Sequence, residues 1–270
     1  MFKQTIDSIL NQETDVIYKI CLTLHKDDIK KVSNRLFKYL KDNNVELISI
    51  DEDLKGHKKY YQVIQKYFNL PIITVDDDLI YSTHMVQILW DMYKGNPNYS
   101  YCGWVRQITF DEKGNLKPDI HWESARDTRP SVKNVGFSGS GLLIPPNSFD
   151  VKAYHSTIVD GNNLYHDEII LKKMMLDNGI SVCWAPNEFD GGKVWKFCSF
   201  IVGKVECNSE SNGALHKFNN STLPDGTRNG DIVVNKFLAD VVTQFSIIIP
   251  VRNVSRFSDK FDLMMQSIME

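Results

Sequence analysis

The sequence carries no large excess of charge of either sign: 31 lysines and arginines stand against 34 acidic residues, a formal charge of -3. No broad positive field therefore argues for nucleic acid as a partner. Cysteine is scarce and odd in number (Cys21, Cys102, Cys183, Cys198, Cys207), and none forms a C-x-x-C pair. That pattern argues against a disulfide framework or a zinc site and reads as reduced, mostly buried intracellular thiols. No run approaches the ~20 apolar residues of a membrane-spanning helix, and the amphipathic start MFKQTIDSILNQ has no signal-peptide core. A cytoplasmic protein is expected. Internal repeats of solenoid period are also missing. Core material is ample: 42% of the 270 residues are apolar, with 14 Phe, 11 Tyr and 5 Trp. This suffices for one large domain or two small ones.

The first half alternates two periodicities. Helical spacing marks residues 2–11, 27–41, 57–68 and 83–94, and β-rich runs mark 16–24, 45–50 and 71–75. Strands alternating with helices predict an α/β fold with a mixed, mainly parallel central sheet flanked by helices. Further on, residues 99–110 read as a strand, 111–114 as a turn and 118–135 as a polar loop. Residues 142–144 and 180–185 read as strands and 165–178 as a helix ended by Asn178-Gly179. The Asn-, Gly- and Ser-rich stretch 206–231 reads as a mobile loop. The run FSIIIPV at 245–251, followed by a helical stripe at Phe261, Met264, Met265 and Ile268, resembles the opening of a new α/β unit.

Four segments carry chemistry. Asp76-Asp77-Asp78 follows the buried-strand pattern PIITV, and period-2 alternation places Asp76 and Asp78 on one side. Two carboxylates about 4 Å apart repel by roughly 4 kcal/mol at an effective dielectric near 20, so such a pair calls for a counter-cation. The carboxyl edge of an open α/β sheet is where ligands bind, and hard oxygens together with phosphates suit Mg²⁺ or Mn²⁺. The bland alternative is a solvated acidic turn capping the next helix. In Gly56-His57-Lys58-Lys59, the lysines can balance a diphosphate or merely open a helix. In Tyr165-His166-Asp167-Glu168, one carboxylate can serve as a general base, although acids in a first helical turn are also favoured by the dipole. The run Gly136–Gly141 (GFSGSG) can let backbone approach a sugar or phosphate closely. Trp104, Trp122, Trp184 and Trp195 offer sugar-stacking faces or core filling, with Trp122 in the polar loop the best candidate for acceptor contact.

Taken in order, Gln4–Gln12 (QTIDSILNQ), Gly56–Lys59 (GHKK), Ile72–Tyr81 (IITVDDDLIY), Gly139–Pro146 (GSGLLIPP) and the Asp167-Glu168 helix start resemble a nucleotide-sugar-dependent glycosyltransferase of the GT-A fold. The likeness is to a bacterial surface-polysaccharide branch related to family 2, and it covers roughly residues 2–235. The resemblance implies that Asp76–Asp78 form the D-x-D element. Asp76 or Asp77 would lie nearer the nucleotide, with Asp76 and Asp78 on Mn²⁺ or Mg²⁺ and His216 a further metal ligand. Lys58, Lys59 and the Gly139-Ser140-Gly141 backbone would hold the donor, and Asp167 or Glu168 would be the base of an inverting transfer. The implied partners are a nucleoside diphosphate sugar, commonly of UDP, and a glycan or lipid-linked acceptor. Membrane association through other proteins and homo-oligomerisation stay open.

The strand that normally precedes the helix at 2–11 in such enzymes is missing here, and 245–270 resembles that strand and helix. The expected organisation is a transferase domain over 1–244 and a tail, 245–270, that starts a second transferase domain or completes the sheet; a shortened N-terminus is the third arrangement. Two functions from other classes compete: an inactive transferase-like assembly module, and a nucleotidyltransferase or phosphohydrolase that uses the acidic triplet differently.

Overall fold

The computed structural model describes residues 2–189, 197–205 and 218–242. Along the chain, α1 (Phe2–Leu10) leads to β1 (Cys21–His25), the short α2 (Lys26–Ile29), α3 (Asn34–Asp42) and β2 (Glu46–Ile50). A 3-10 turn at Lys55–Lys59 and α4 (Tyr61–Lys66) precede β3 (Ile72–Val75), β4 (Leu79–Tyr81) and α5 (Met85–Gly95). Then come β5 (Ser100–Cys102), β6 (Val105–Gln107), β7 (Glu123–Ser124), β8 (Asn134–Gly136) and β9 (Ser140–Ile144). The described part ends with α6 (His155–Val159), α7 (Asp167–Asp177), β10 (Val182–Trp184), β11 (Ile201–Lys204) and α8 (Asn229–Leu238).

Among the described residues the largest sheet has four strands, in the order β10-β5-β9-β3. Alternate residues of these strands enter two separate cores. Cys102, Leu142, Ile144 and Val182 face one core, with α4, α7 and α8 packed over them. Tyr101, Leu143 and Cys183 face the other, covered by Ile9 of α1 and by Met85, Val86 and Leu89 of α5. A sheet buried on both faces explains why these strands read as continuous apolar runs.

The chain is thus mixed α/β as expected, but the sheet is not mainly parallel. Only β10 with β5 is parallel in it; β5 with β9 and β3 with β9 are antiparallel. The parallel pair β1 and β2 forms its own two-stranded sheet.

Several local expectations change for identifiable reasons. The helix expected over 27–41 breaks before Ser33, whose hydroxyl accepts from the Leu36 amide and starts α3 afresh. The strand expected over 99–110 splits at Gly103, where a Cβ would lie 2.5 Å from the Ser140 carbonyl oxygen, and its halves enter different sheets. Within the expected loop 118–135, Trp122 and Ala125 are buried. Residues 229–231, the end of the stretch expected as a loop, instead open α8, whose Val233, Val234 and Leu238 lie in the core. The calls on Cys207, Trp195, His216 and the tail 245–270 lie outside the described residues. Among those described, no helix is long and apolar enough to cross a membrane.

Candidate functional site

Strand β3 ends at Val75, and the three aspartates form the turn into β4 rather than a continuation of the strand or a helix start. Asp76 and Asp78 are half-buried, while Asp77 is exposed. The turn is held from three sides. The Asp76 amide donates to the Tyr81 hydroxyl at 2.7 Å, and that hydroxyl donates to the Gly139 carbonyl at 2.7 Å. Thr5 of α1 donates to the Asp77 carbonyl at 2.9 Å. The loop between β8 and β9 arrives because β9 runs antiparallel to β3, pairing Ser140 with Val75. Thr74 then fixes it by donating to the Ser138 carbonyl at 2.7 Å.

Two carboxylates meet one ammonium, and a third stands beside them. Lys59 Nζ lies 2.6 Å from Asp76 Oδ1 and 3.3 Å from Asp167 Oδ2, and donates to Ser138 Oγ at 3.1 Å. The Ser138 hydroxyl donates in turn to Asp167 Oδ2 at 3.1 Å and lies 3.4 Å from Glu168 Oε1. Glu168 shares a hydrogen bond with Asp167. Close backbone approach makes this possible at two glycines: a Cβ on Gly139 would sit 2.0 Å from Asp76 Oδ2, and one on Gly56 2.5 Å from Asp167 Cγ.

A second layer orients the cluster. The buried His57 must donate from Nε2 to the Asn163 carbonyl at 3.1 Å, so its Nδ1 accepts from the Tyr60 hydroxyl at 2.6 Å. This joins the turn carrying Lys59 to the segment entering α7. Burial lowers the His57 pKa and favours this neutral form.

The charges are strongly perturbed. Burial opposes the Lys59 charge, yet Asp167, Asp76 and Glu168 keep its ammonium well above the ordinary lysine range. Burial likewise opposes the Asp167 carboxylate, but Lys59 holds it below the usual range. Glu168 moves the other way: burial and then the Asp167 charge raise its proton affinity. Asp78 is raised by burial and by the charges of Asp76 and Asp77.

Of the residues singled out in the sequence, Lys59, Asp76, Gly139, Asp167 and Glu168 come together. Lys58 turns aside to Asp53 at 3.5 Å. Ser140 donates to the Phe137 carbonyl and accepts from the Trp104 amide, while Gly141, at φ +81°, packs on Met85 and Phe200. Both serve the turn into β9 rather than the cluster. Trp122 is a core residue, its indole donating to the Lys117 carbonyl at 2.9 Å, and not the exposed acceptor platform expected. Trp104 stacks on Phe137 at 4.7 Å and Trp184 donates to the Gly103 carbonyl. Ser138, Tyr81 and His57 had not been singled out, although each stands inside a quoted motif.

Asp76 and Asp78 supply hard oxygens that fit Mg²⁺ or Mn²⁺. Among the described residues, however, no three His, Cys, Asp or Glu side chains form a ready cage. An ion held by these two carboxylates would have to complete its shell with water and ligand phosphates. Compared with known proteins, the chain matches no family model and no curated sequence.

Proposed function

We propose that this chain is a GT-A-like glycosyltransferase, moving a sugar from a nucleoside diphosphate sugar, UDP being the first donor to try, to a hydroxyl of a glycan or lipid-linked acceptor with inversion. The observation that supports this most is the convergence of Lys59, Asp76, Ser138, Asp167 and Glu168 beyond the end of β3. The cluster sets one ammonium among carboxylates, the two kinds of group needed beside a diphosphate leaving group and an acceptor hydroxyl.

Asp76 and Asp78 would hold a divalent ion, which when bound neutralises the leaving diphosphate. Asp167 is buried and already receives hydrogen bonds from Lys59 and Ser138, so it is the fixed anion. Glu168 is less buried, and its raised proton affinity makes it the better acceptor once ionised. The acceptor O–H proton goes to Glu168, the oxygen bonds to the anomeric carbon, and the diphosphate departs with the electrons of the broken C–O bond. Glu168→Gln should lower nucleoside diphosphate release with Mn²⁺ by roughly 10²–10⁴-fold while donor binding persists. Undiminished release from Glu168→Gln or from Asp78→Ala would refute the role given to each.

A second reading, an inert transferase-like module, draws on the lack of a ready cage among the described residues. Thermal shift against nucleotides and nucleotide sugars, with and without Mn²⁺, separates the two. Metal-dependent stabilisation by one nucleoside diphosphate supports the transferase, and no response to any of them supports the module.

A further inference from the structure

The arrangement of Lys59 goes further and rests on the transferase reading. We propose that Lys59 is a built-in counter-cation that occupies Asp76 until a divalent ion and a diphosphate arrive together, and that it then transfers its ammonium to the diphosphate. The three ammonium hydrogens are all committed inside the protein, to Asp76, Asp167 and Ser138. Each carboxylate is backed on one side by a glycine. Asp76 lies against the Gly139 backbone and Asp167 against that of Gly56, each at a distance that excludes even a methyl group.

Asp76 is the more exposed of the pair, 33% against 21% for Lys59, so an arriving ion reaches the carboxylate, and the flexible four-carbon stem of Lys59 on its 3-10 turn is the part that moves aside. An ion bound through Asp76 Oδ1 would stand beside the ammonium, and the two like charges would repel strongly at that range. Entry of the ion alone thus requires Lys59 to leave a carboxylate with nothing anionic in exchange. Entry of the ion with a diphosphate gives Lys59 a new anionic partner. Ion and diphosphate consequently strengthen each other's binding through this one side chain, and reciprocally.

The test measures Mn²⁺ binding to the full chain by loss of the free-ion paramagnetic resonance signal, with and without inorganic pyrophosphate. Lys59→Gln, checked for a cooperative melt, should bind Mn²⁺ alone roughly tenfold more tightly than the unaltered protein, and should bind pyrophosphate more weakly at saturating Mn²⁺. Should Lys59→Gln fail to fold, Asp167→Asn provides the opposite sign. It leaves Asp76 as the carboxylate paired with Lys59, so Mn²⁺ alone should bind several-fold more weakly. A folded Lys59→Gln protein that binds Mn²⁺ no more tightly than the unaltered chain overturns the inference and leaves the transferase reading standing. So does an Asp167→Asn protein with unchanged affinity when Lys59→Gln does not fold. Absence of Mn²⁺ binding in every variant, with and without pyrophosphate, removes both.

Discussion

Lys172 is the residue whose placement is hardest to reconcile with stability alone. It is fully buried in α7, its Nζ has no hydrogen-bond partner among the described residues, and burial lowers its pKa to about 7. An unfolded lysine holds its proton to about pH 10.4, so between those values the unfolded chain binds more protons and stability rises with pH. Below pH 7 both states are charged and the full penalty applies, on the order of 5 kcal/mol at 1.36 kcal/mol per pKa unit. Lys172→Met should therefore raise the unfolding free energy at pH 6, with the gain shrinking towards pH 10. Denaturant titrations at the two pH values check this; a gain that does not change with pH would contradict it. Gly139 makes a complementary case. A Cβ there would overlap the Asp76 carboxylate, so Gly139→Ala should pull Asp76 off Lys59 and lower metal-dependent turnover at least tenfold, on the order of 1.4 kcal/mol, while the chain still folds. Normal turnover from that variant would mean that the carboxylate has another resting place.

At the level of elements, the site is assembled by hydrogen bonds from side chains the strands carry to their ends. The Tyr81 hydroxyl joins β4, the Asp76 amide and the Gly139 carbonyl. Tyr81 is 2% exposed, so Tyr81→Phe strands a buried acceptor and a part-buried donor and should cost about 1–3 kcal/mol. Urea unfolding reads this directly, and a loss well under that range would show water reaching both groups. The same ends explain what the sequence could and could not convey. The run PIITV followed by acids announces β3 and its carboxyl edge, and the Ile169, Ile170, Met174, Met175 spacing announces α7. Choosing Lys59 over Lys58, or Ser138 and Gly139 over Ser140 and Gly141, depends on the 3-10 turn at 55–59 and on the register shift between Thr74 and Val75. Neither leaves a trace in periodicity. α8 was hidden because polar residues around it outweigh a short apolar stripe, and its helical state is secured by packing on α7.

For the molecule as a whole, stability should be distributed unevenly, and the site lies on the boundary. Every residue of β9 is buried, and the strand is hydrogen-bonded to β5 on one side and β3 on the other. In β1 no residue is fully buried, and its sheet has only two strands. Regions with little buried apolar contact open at lower free energy than the global transition. Lys59 stands on the turn between the less buried β1–β2 sheet and β3, whereas Asp76, Ser138 and Asp167 are fixed to the buried sheet and α7. Amide hydrogen exchange should therefore be slowest at Ser140–Ile144 and clearly faster at Cys21–His25 and Glu46–Ile50. The turn at Lys55–Lys59 should gain protection when Mn²⁺ and pyrophosphate are added together. Equal protection of β1 and β9 would mean that both sheets open as one unit. Lys59 would then stand on as rigid a base as the carboxylates it bridges, and its release could involve only the four-carbon stem.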